Sequence, residues 1–270
     1  MVHMCYPLHA RPPLPPIMGG SSDESDLKLR TPDGKQIDAI AARAARPNGA
    51  GVVIIPDPRG LAPFYRELTT RFAQAGIDTV TIDYLSRHGV PNPRASDFDF
   101  MSAIRLAMSS PDGIDADVTA GIQYLRSKEG GAVASVFSVG FCFGGSTSWR
   151  QSAQQPGLDG AIGFYGRPGM VRDLVPKMKA PLLLLVAGAD QATTPEDNAA
   201  FDRELTQAKV PHKTVVYPGA PHSFFDRTFE QHQSACEDAW KQMLSFIDEH
   251  KKASSAPSPA RGGGSGRGPS

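Results

Sequence analysis

The chain alternates between short apolar runs and longer segments whose apolar residues recur every three or four positions. Short apolar runs predict buried strands, and the longer spacing predicts helices that lay one face on a sheet. Strands are predicted at residues 36–43, 51–56, 77–82, 133–139, 182–186 and 214–217, with a further apolar stretch at 158–165, and helices at 63–75, 115–128, 195–209 and 228–250. This alternation predicts one α/β domain, in which a mainly parallel sheet carries helices on both faces.

Both ends of the chain lack such periodicity. Residues 1–26 are rich in Pro, Gly and Ser, and Pro-Pro-Leu-Pro-Pro at 12–16 predicts extended polyproline conformation. We interpret this segment as a disordered leader, with Met18 as an alternative start. Residues 251–270 are predicted to be a disordered tail, which leaves the domain at 27–250. Without aromatics or a repeated motif, the tail arginines indicate a solvated linker rather than an RNA-binding segment.

Composition narrows the class of protein. The 28 Lys and Arg residues balance 28 Asp and Glu residues, so no overall charge attracts nucleic acid or an anionic membrane. The longest apolar stretch, at 181–189, is far shorter than the roughly 20 residues that cross a bilayer. Cys5, Cys142 and Cys236 are too widely spaced for a disulfide framework, and neither C-x-x-C nor H-E-x-x-H occurs. With no apolar signal segment, we expect a cytoplasmic protein without a metal site.

Residues 140–144, Gly-Phe-Cys-Phe-Gly, have the spacing of the nucleophile elbow G-x-S-x-G, with cysteine in place of serine. The apolar run before them and the breaker-free segment after them predict strand, sharp turn and helix. Glycines permit the tight reversal. Cys142 would then lie at a helix N-terminus, where the helix dipole favours the thiolate. The alternative is a buried cysteine that serves as a small hydrophobic residue.

A cysteine nucleophile needs a base and an orienting carboxylate. His222 lies in Pro221-His222-Ser223-Phe224, a turn after the last predicted strand, and is the candidate base. Asp190 follows a strongly apolar strand and is the candidate carboxylate, although Asp also caps turns in such positions. The order Cys, Asp, His is that of α/β-hydrolase folds. Asp190 would fix the imidazole tautomer and stabilise the imidazolium that pairs with the thiolate.

Four segments together resemble the dienelactone hydrolase family: Gly-Phe-Cys-Phe-Gly-Gly at 140–145, Gly-Phe-Tyr-Gly at 163–166, Gly-Ala-Asp at 188–190 and Pro-His-Ser-Phe at 221–224. The resemblance covers about residues 37–250. It implies an α/β-hydrolase fold with a Cys-Asp-His triad. It also implies hydrolysis of a small ester or lactone through a thioester acyl-enzyme, with no metal or organic cofactor. We expect a monomer or dimer that binds a small-molecule substrate.

The loop at residues 55–61 departs from the family pattern. The resemblance implies a Glu here that interacts with the resting thiol, followed by a residue whose N–H enters the oxyanion hole. This chain has Asp57, one methylene shorter, and then Pro58, which has no N–H. We expect Phe143 N–H to be one oxyanion donor and Arg59, by backbone or side chain, to be the other.

The resemblance also implies arginines that hold a substrate carboxylate. Arg87 matches one of them, whereas the position of the second, four residues after His222, is Asp226, with Arg227 next in sequence. A surface salt bridge is the alternative for Arg227. Tyr84 and Tyr165 either line the pocket or pack in the core. The long connection at 89–113 is either a lid over the pocket or a helix pair that covers the sheet.

Two other functional classes fit some of these residues. Pro58 and the displaced Arg227 are compatible with a non-catalytic ligand-binding α/β-hydrolase homologue. A single activated cysteine is compatible with a redox-sensing thiol protein, which would form a sulfenic acid at Cys142 without needing His222 and Asp190.

Overall fold

A computed structural model describes residues 6–21, 24–90 and 99–252, and its core is a single mixed sheet. The strands are β1 (Ser25–Arg30), β2 (Gln36–Ala42), β3 (Ala50–Ile55), β4 (Asp78–Asp83), β5 (Ser135–Phe141), β6 (Gly160–Phe164), β7 (Leu182–Ala187) and β8 (His212–Tyr217). Their order is β1-β2-β4-β3-β5-β6-β7-β8. β2 pairs antiparallel with both β1 and β4, and the remaining neighbours pair parallel, which confirms the predicted, mainly parallel sheet.

Helices cover both faces of this sheet. They are α1 (Pro63–Gln74), α2 (Phe100–Ser109), α3 (Pro111–Arg126), α4 (Phe143–Gln154), α5 (Pro195–Gln207) and α6 (Gln233–His250). Successive side chains of β3 alternate between two apolar layers, because neighbouring strand residues point to opposite faces. α1 and α6 pack in one layer, and α2 to α5 pack in the other. Within the described part of the chain, no helix has the length and apolar character that a membrane span needs.

The main differences from the predicted elements lie at the margins of the sheet. β1 was not predicted, because its alternation of polar residues with Leu27 and Leu29 is weak and the strand is largely exposed. Ala103 and Ala107 of α2 are buried against the core, so the helix-pair alternative holds for residues 100–113. The rest of the predicted connection, residues 91–98, lies outside the described residues.

The predicted leader is wrong for residues 6–21, because this segment packs on the face formed by α1 and α6. Tyr6 and Ala10 are fully buried. Trp240 Nε1–H of α6 donates to the carbonyl of Pro13 (3.1 Å), and Met18 N–H donates to the carbonyl of Gln74 (2.9 Å). An extended Pro-rich segment has unpaired carbonyls that neighbouring elements can use, and such contacts leave no periodic pattern. We call residues 6–20 the N-terminal strap.

The structure describes only the first two residues of the predicted tail. Lys251 and Lys252 belong to the described residues, and Lys252 N–H donates to Ser135 Oγ (2.8 Å). Residues 253–270 lie outside them, so the tail stays a prediction there.

Removing residues 1–17 should lower the free energy of unfolding by about 2–3 kcal/mol or more, because this deletion uncovers the core face that Tyr6 buries. Urea denaturation followed by circular dichroism measures the change. A matched deletion of residues 253–270 is the control and should leave the midpoint unchanged. An unchanged midpoint for the N-terminal deletion would contradict a packed strap.

Candidate active site

The sequence motif at residues 140–144 forms a sharp turn between β5 and α4. Cys142 occupies the turn with φ 57° and ψ −117°, a strained conformation for a residue with a side chain. A Cβ on Gly140 would lie 1.8 Å from the carbonyl oxygen of Gly144, and a Cβ on Gly144 would lie 2.1 Å from that of Ile55. Glycine is therefore required at both positions, and the predicted elbow is present.

The loops after β7 and β8 bring Asp190 and His222 together beside this turn. His222 Nδ1–H donates to Asp190 Oδ2 (2.7 Å), and only 6% and 1% of the two side chains are exposed. Asp190 Oδ1 accepts from Ala192 N–H (2.7 Å), which fixes the carboxylate. With Nδ1 committed to Asp190, Nε2 is the ring atom that can exchange a proton with the nucleophile.

The charge state of His222 depends on its two partners. Burial alone would lower its pKa, but the hydrogen bond to Asp190 and the neighbouring Cys142 thiol outweigh burial and raise the pKa to about 9. The imidazole is therefore protonated at neutral pH and can stabilise a thiolate. Cys142 is 9% exposed and is not in a disulfide. The structure thus brings the three predicted catalytic residues into one arrangement.

Tyr165 forms the wall beside the imidazole. It follows β6 with φ 37°, is buried, and its ring centroid lies 4.8 Å from that of His222. Its backbone N–H donates to the carbonyl of Leu185 (2.8 Å), which ties it to β7. Of the two alternatives for this residue, core packing is the one that the structure supports, with its ring against His222, the candidate base.

Asp57 is completely buried in the loop between β3 and α1. Its Oδ1 accepts from Arg59 N–H (2.8 Å), and its Oδ2 accepts from Tyr6 N–H (3.1 Å). Burial, and secondly the charge of Cys142, raise the pKa of Asp57 to about 7. The predicted interaction between this acid and the thiol is therefore supported electrostatically.

The oxyanion donors are only partly as expected. Phe143 is the first residue of α4, so its N–H belongs to the first turn, where donors have no intrahelical acceptor. Its role as an oxyanion donor stays a prediction. The backbone alternative for Arg59 is wrong, because its N–H is committed to Asp57. The guanidinium is the part of Arg59 that remains a candidate.

Tyr84 supports this loop from the core instead of lining the pocket. It is fully buried, and its hydroxyl donates to the carbonyl of Asp57 (2.7 Å). Its ring lies 5.7 Å from that of Phe143, so it also packs against the start of α4. For Tyr84, the core-packing alternative is the correct one.

The predicted anion clamp is not formed by Arg87 or Arg227. Arg87 is 5% exposed and makes short ion pairs with Asp117 of α3 (2.9 Å) and with Asp33 (3.1 Å). These two carboxylates satisfy the guanidinium of Arg87, so it is unsuited to bind the carboxylate of a substrate as well. Arg227 pairs with Glu67 of α1 (3.0 Å) and is 38% exposed, so the surface salt bridge is the correct alternative.

Sequence reasoning missed one residue of this site. Tyr6 enters from the strap and touches Asp57, Tyr165 and Phe225. A lone aromatic residue next to a Pro-rich run carries no periodic signal. Tyr6 is the one Phe, Tyr or Trp among residues 1–26, and only this could have indicated its burial.

Comparisons with known proteins match most of the chain. The model of the dienelactone hydrolase family matches residues 37–251. The chain is 26% identical over 259 residues to the Escherichia coli protein named "Putative carboxymethylenebutenolidase", covering 89% of this chain and 94% of that one. A protein of the same name from Saccharolobus solfataricus is 35% identical over 136 residues, 48% of this chain and 49% of that one.

The fold also matches solved structures. A dienelactone hydrolase-like promiscuous phosphotriesterase from metagenomic libraries superimposes with a TM-score of 0.71 at 19% identity, covering 87% of this chain and 100% of that one. At this identity the match shows the fold alone. It is the α/β-hydrolase fold that the sequence predicted.

The raised pKa of His222 predicts a loss of stability at alkaline pH. The folded imidazole, with a pKa of about 9 against an ordinary 6.5, binds its proton more tightly than the unfolded chain does. Its contribution is therefore complete below about pH 6.5 and is lost as pH rises through about 9. Full loss corresponds to roughly 3 kcal/mol.

Unfolding free energies of wild type and Asp190→Asn at about pH 6 and about pH 9.5 measure this effect. The variant lacks the carboxylate that raises the pKa of His222, so its stability should fall less over the same interval. Contributions from other groups, Asp57 included, are common to both proteins. Equal losses in both would contradict the assigned ion pair.

Proposed function

Since this chain belongs to the dienelactone hydrolase family, we propose that it hydrolyses a small, activated carboxylic ester or a lactone through Cys142, His222 and Asp190. The observation that carries the proposal is the Asp190–His222 pair held beside the strained Cys142 turn. A redox-sensing thiol has no need of this pair. A hydrolase needs it twice, once for acylation and once for deacylation.

Acylation begins when the Cys142 sulfur attacks the ester carbonyl carbon. The carbonyl electron pair moves to oxygen, and Phe143 N–H donates to the resulting oxyanion. Collapse of the tetrahedral intermediate expels the alkoxide, which takes the proton from His222 Nε2. The products of this step are a thioester on Cys142, a neutral imidazole and the free alcohol.

Deacylation reverses these roles. Neutral His222 takes a proton from water as the water oxygen attacks the thioester, and the second intermediate expels the Cys142 thiolate. The acid leaves, and the thiolate again faces protonated His222. Asp190 accepts the Nδ1–H bond throughout and stabilises each imidazolium. Asp57, with a pKa of about 7, influences the resting state of the thiol through its charge.

The surroundings of the site favour a substrate without a carboxylate. Both arginines at or near the positions of the expected clamp already pair with protein carboxylates. The group whose charge acts on the thiol is instead an acid, Asp57, which repels an anion whenever it is ionised. We therefore propose a neutral ester or lactone rather than an anionic dienelactone.

One observation favours a second candidate, a non-catalytic ligand-binding homologue. Pro58 has no N–H and Arg59 N–H is bonded to Asp57, so this loop offers neither of those backbone donors to an oxyanion. Loss of one such donor costs about 10²- to 10³-fold in rate. The same assay separates the two, because tight binding without turnover identifies the second candidate.

Cys142→Ala should abolish hydrolysis while leaving the fold intact, because the variant lacks the nucleophile. Initial rates on a dienelactone, p-nitrophenyl acetate and an unactivated ester, with circular dichroism spectra, measure both effects. Cys236→Ala is the matched control: this second buried cysteine donates to the carbonyl of Phe224 (3.2 Å), has no part in the proposed triad and should retain turnover. An unchanged rate in Cys142→Ala would disprove the nucleophile.

The substrate panel also tests the proposed neutral substrate. We expect kcat/KM for a neutral lactone to exceed that for the same ring carrying a carboxylate by at least about 10-fold, since Arg87 and Arg227 already pair with protein carboxylates and do not compensate the charge of the ring. Arg227→Gln should leave this ratio unchanged, because Arg227 pairs with Glu67. A preference for the anionic ring, lost in Arg227→Gln, would contradict the proposal.

A further inference from the structure

Tyr6 lies where three segments of the candidate active site meet. Its backbone N–H donates to Asp57 Oδ2 (3.1 Å), which is in the loop after β3. Its hydroxyl forms a short hydrogen bond with the hydroxyl of Tyr165, after β6, and donates to the carbonyl of Phe225 (3.0 Å), three residues after the catalytic base. Its ring stacks on Phe64 of α1, with centroids 3.8 Å apart.

The proton order along this chain of hydrogen bonds follows from the acceptors. A carbonyl oxygen only accepts, so the single proton of the Tyr6 hydroxyl is directed to Phe225. Tyr165 is then the donor to Tyr6, and its own proton points toward the Tyr6 hydroxyl oxygen. Burial raises the pKa of both hydroxyls well above the ordinary value, so both stay neutral donors at working pH.

We propose that Tyr6 is a positioning residue of the active site, which holds the Asp57 carboxylate through its N–H and the His222 loop through its hydroxyl. Its hydrogen bond to Tyr165 fixes the ring that packs on His222. The expected effect of Tyr6 on kcat rests on the proposed hydrolase function. The expected effect of Tyr6 on the reactivity of the Cys142 thiol does not rest on it.

The strap has anchors besides Tyr6, which makes a conservative substitution informative. Arg11 N–H donates to Asp226 Oδ1 (3.0 Å), and Arg227 N–H donates to the carbonyl of Arg11 (3.0 Å). Trp240 holds the carbonyl of Pro13. Tyr6→Phe therefore removes only a hydroxyl, while the backbone N–H to Asp57, the stacked ring and the docked strap remain.

The test compares wild type and Tyr6→Phe in two independent measurements. The first is kcat and KM on p-nitrophenyl acetate, where kcat should fall about 10-fold and KM should change less than about 2-fold, because the catalytic groups are less well placed. The second is the rate of alkylation of Cys142 by iodoacetamide from about pH 5 to about pH 9, quantified on the Cys142 peptide by mass spectrometry. Alkylation near neutral pH should slow, with the half-maximal rate moved to higher pH.

Tyr217→Phe is the matched control. Its hydroxyl donates to Asp238 of α6 (3.0 Å), so the variant loses the same kind of hydrogen bond outside the three segments that Tyr6 joins. It should keep the wild-type kcat and alkylation profile. Tyr165→Phe breaks the bond to Tyr6 from the other side, and the double variant should be no worse than the worse single variant.

Wild-type kcat and alkylation in Tyr6→Phe would overturn the proposal, as would an equal decline in Tyr217→Phe, which would indicate general destabilisation. Additive losses in the double variant would also overturn it, because they would show that the two hydroxyls act separately. If wild type turns over no ester, the proposed hydrolase function fails. The alkylation profiles then still decide the role of Tyr6.

Discussion

The site depends on a tight steric constraint around the start of α4. A Cβ on Gly144 would lie within 2.4 Å of the carbonyl oxygens of both Ile55 and Pro56, and one on Gly145 would lie 2.4 Å from that of Phe164. The first turn of α4 is thus pressed against the ends of β3 and β6. This contact places Cys142 between the loop of Asp57 and the segment of Tyr165, and it holds Cys142 in a strained conformation.

Burial then sets the electrostatics of the groups gathered there. A buried carboxylate is costly, and Asp57 meets this cost with two backbone N–H donors, the charge of Arg59 and a pKa raised to about 7. The pKa of His222 is also raised, to about 9, because the effects of Asp190 and Cys142 outweigh the effect of burial. Near neutral pH the site can therefore hold one imidazolium, one thiolate and a buried acid whose pKa is about 7. This arrangement suits a nucleophile that must be both charged and protected.

The sequence predicted the parts of this site that strands deliver. Cys142, Asp190 and His222 each follow an apolar run, so their positions at one edge of a parallel sheet were available from periodicity and chain order. Periodicity and chain order do not predict which side chains pair with each other. Arg87 satisfies its charge with Asp117, 30 residues further along, and no local pattern indicates that pairing. The packing of the strap was not predicted for a related reason, since the hydrogen-bond partners of Tyr6 lie 51, 159 and 219 positions away in the sequence.

The strap and the missing clamp have one residue in common. Asp226 stands four residues after His222, where the resemblance to dienelactone hydrolase implies an arginine for the substrate carboxylate. Here Asp226 is fully buried, and its Oδ1 accepts from Arg11 N–H of the strap (3.0 Å) and from Thr228 N–H (2.9 Å). An arginine at this position could not accept either bond. The position that would bind an anionic substrate instead anchors the segment that carries Tyr6, so the loss of the clamp and the docking of the strap are consequences of the same side chain.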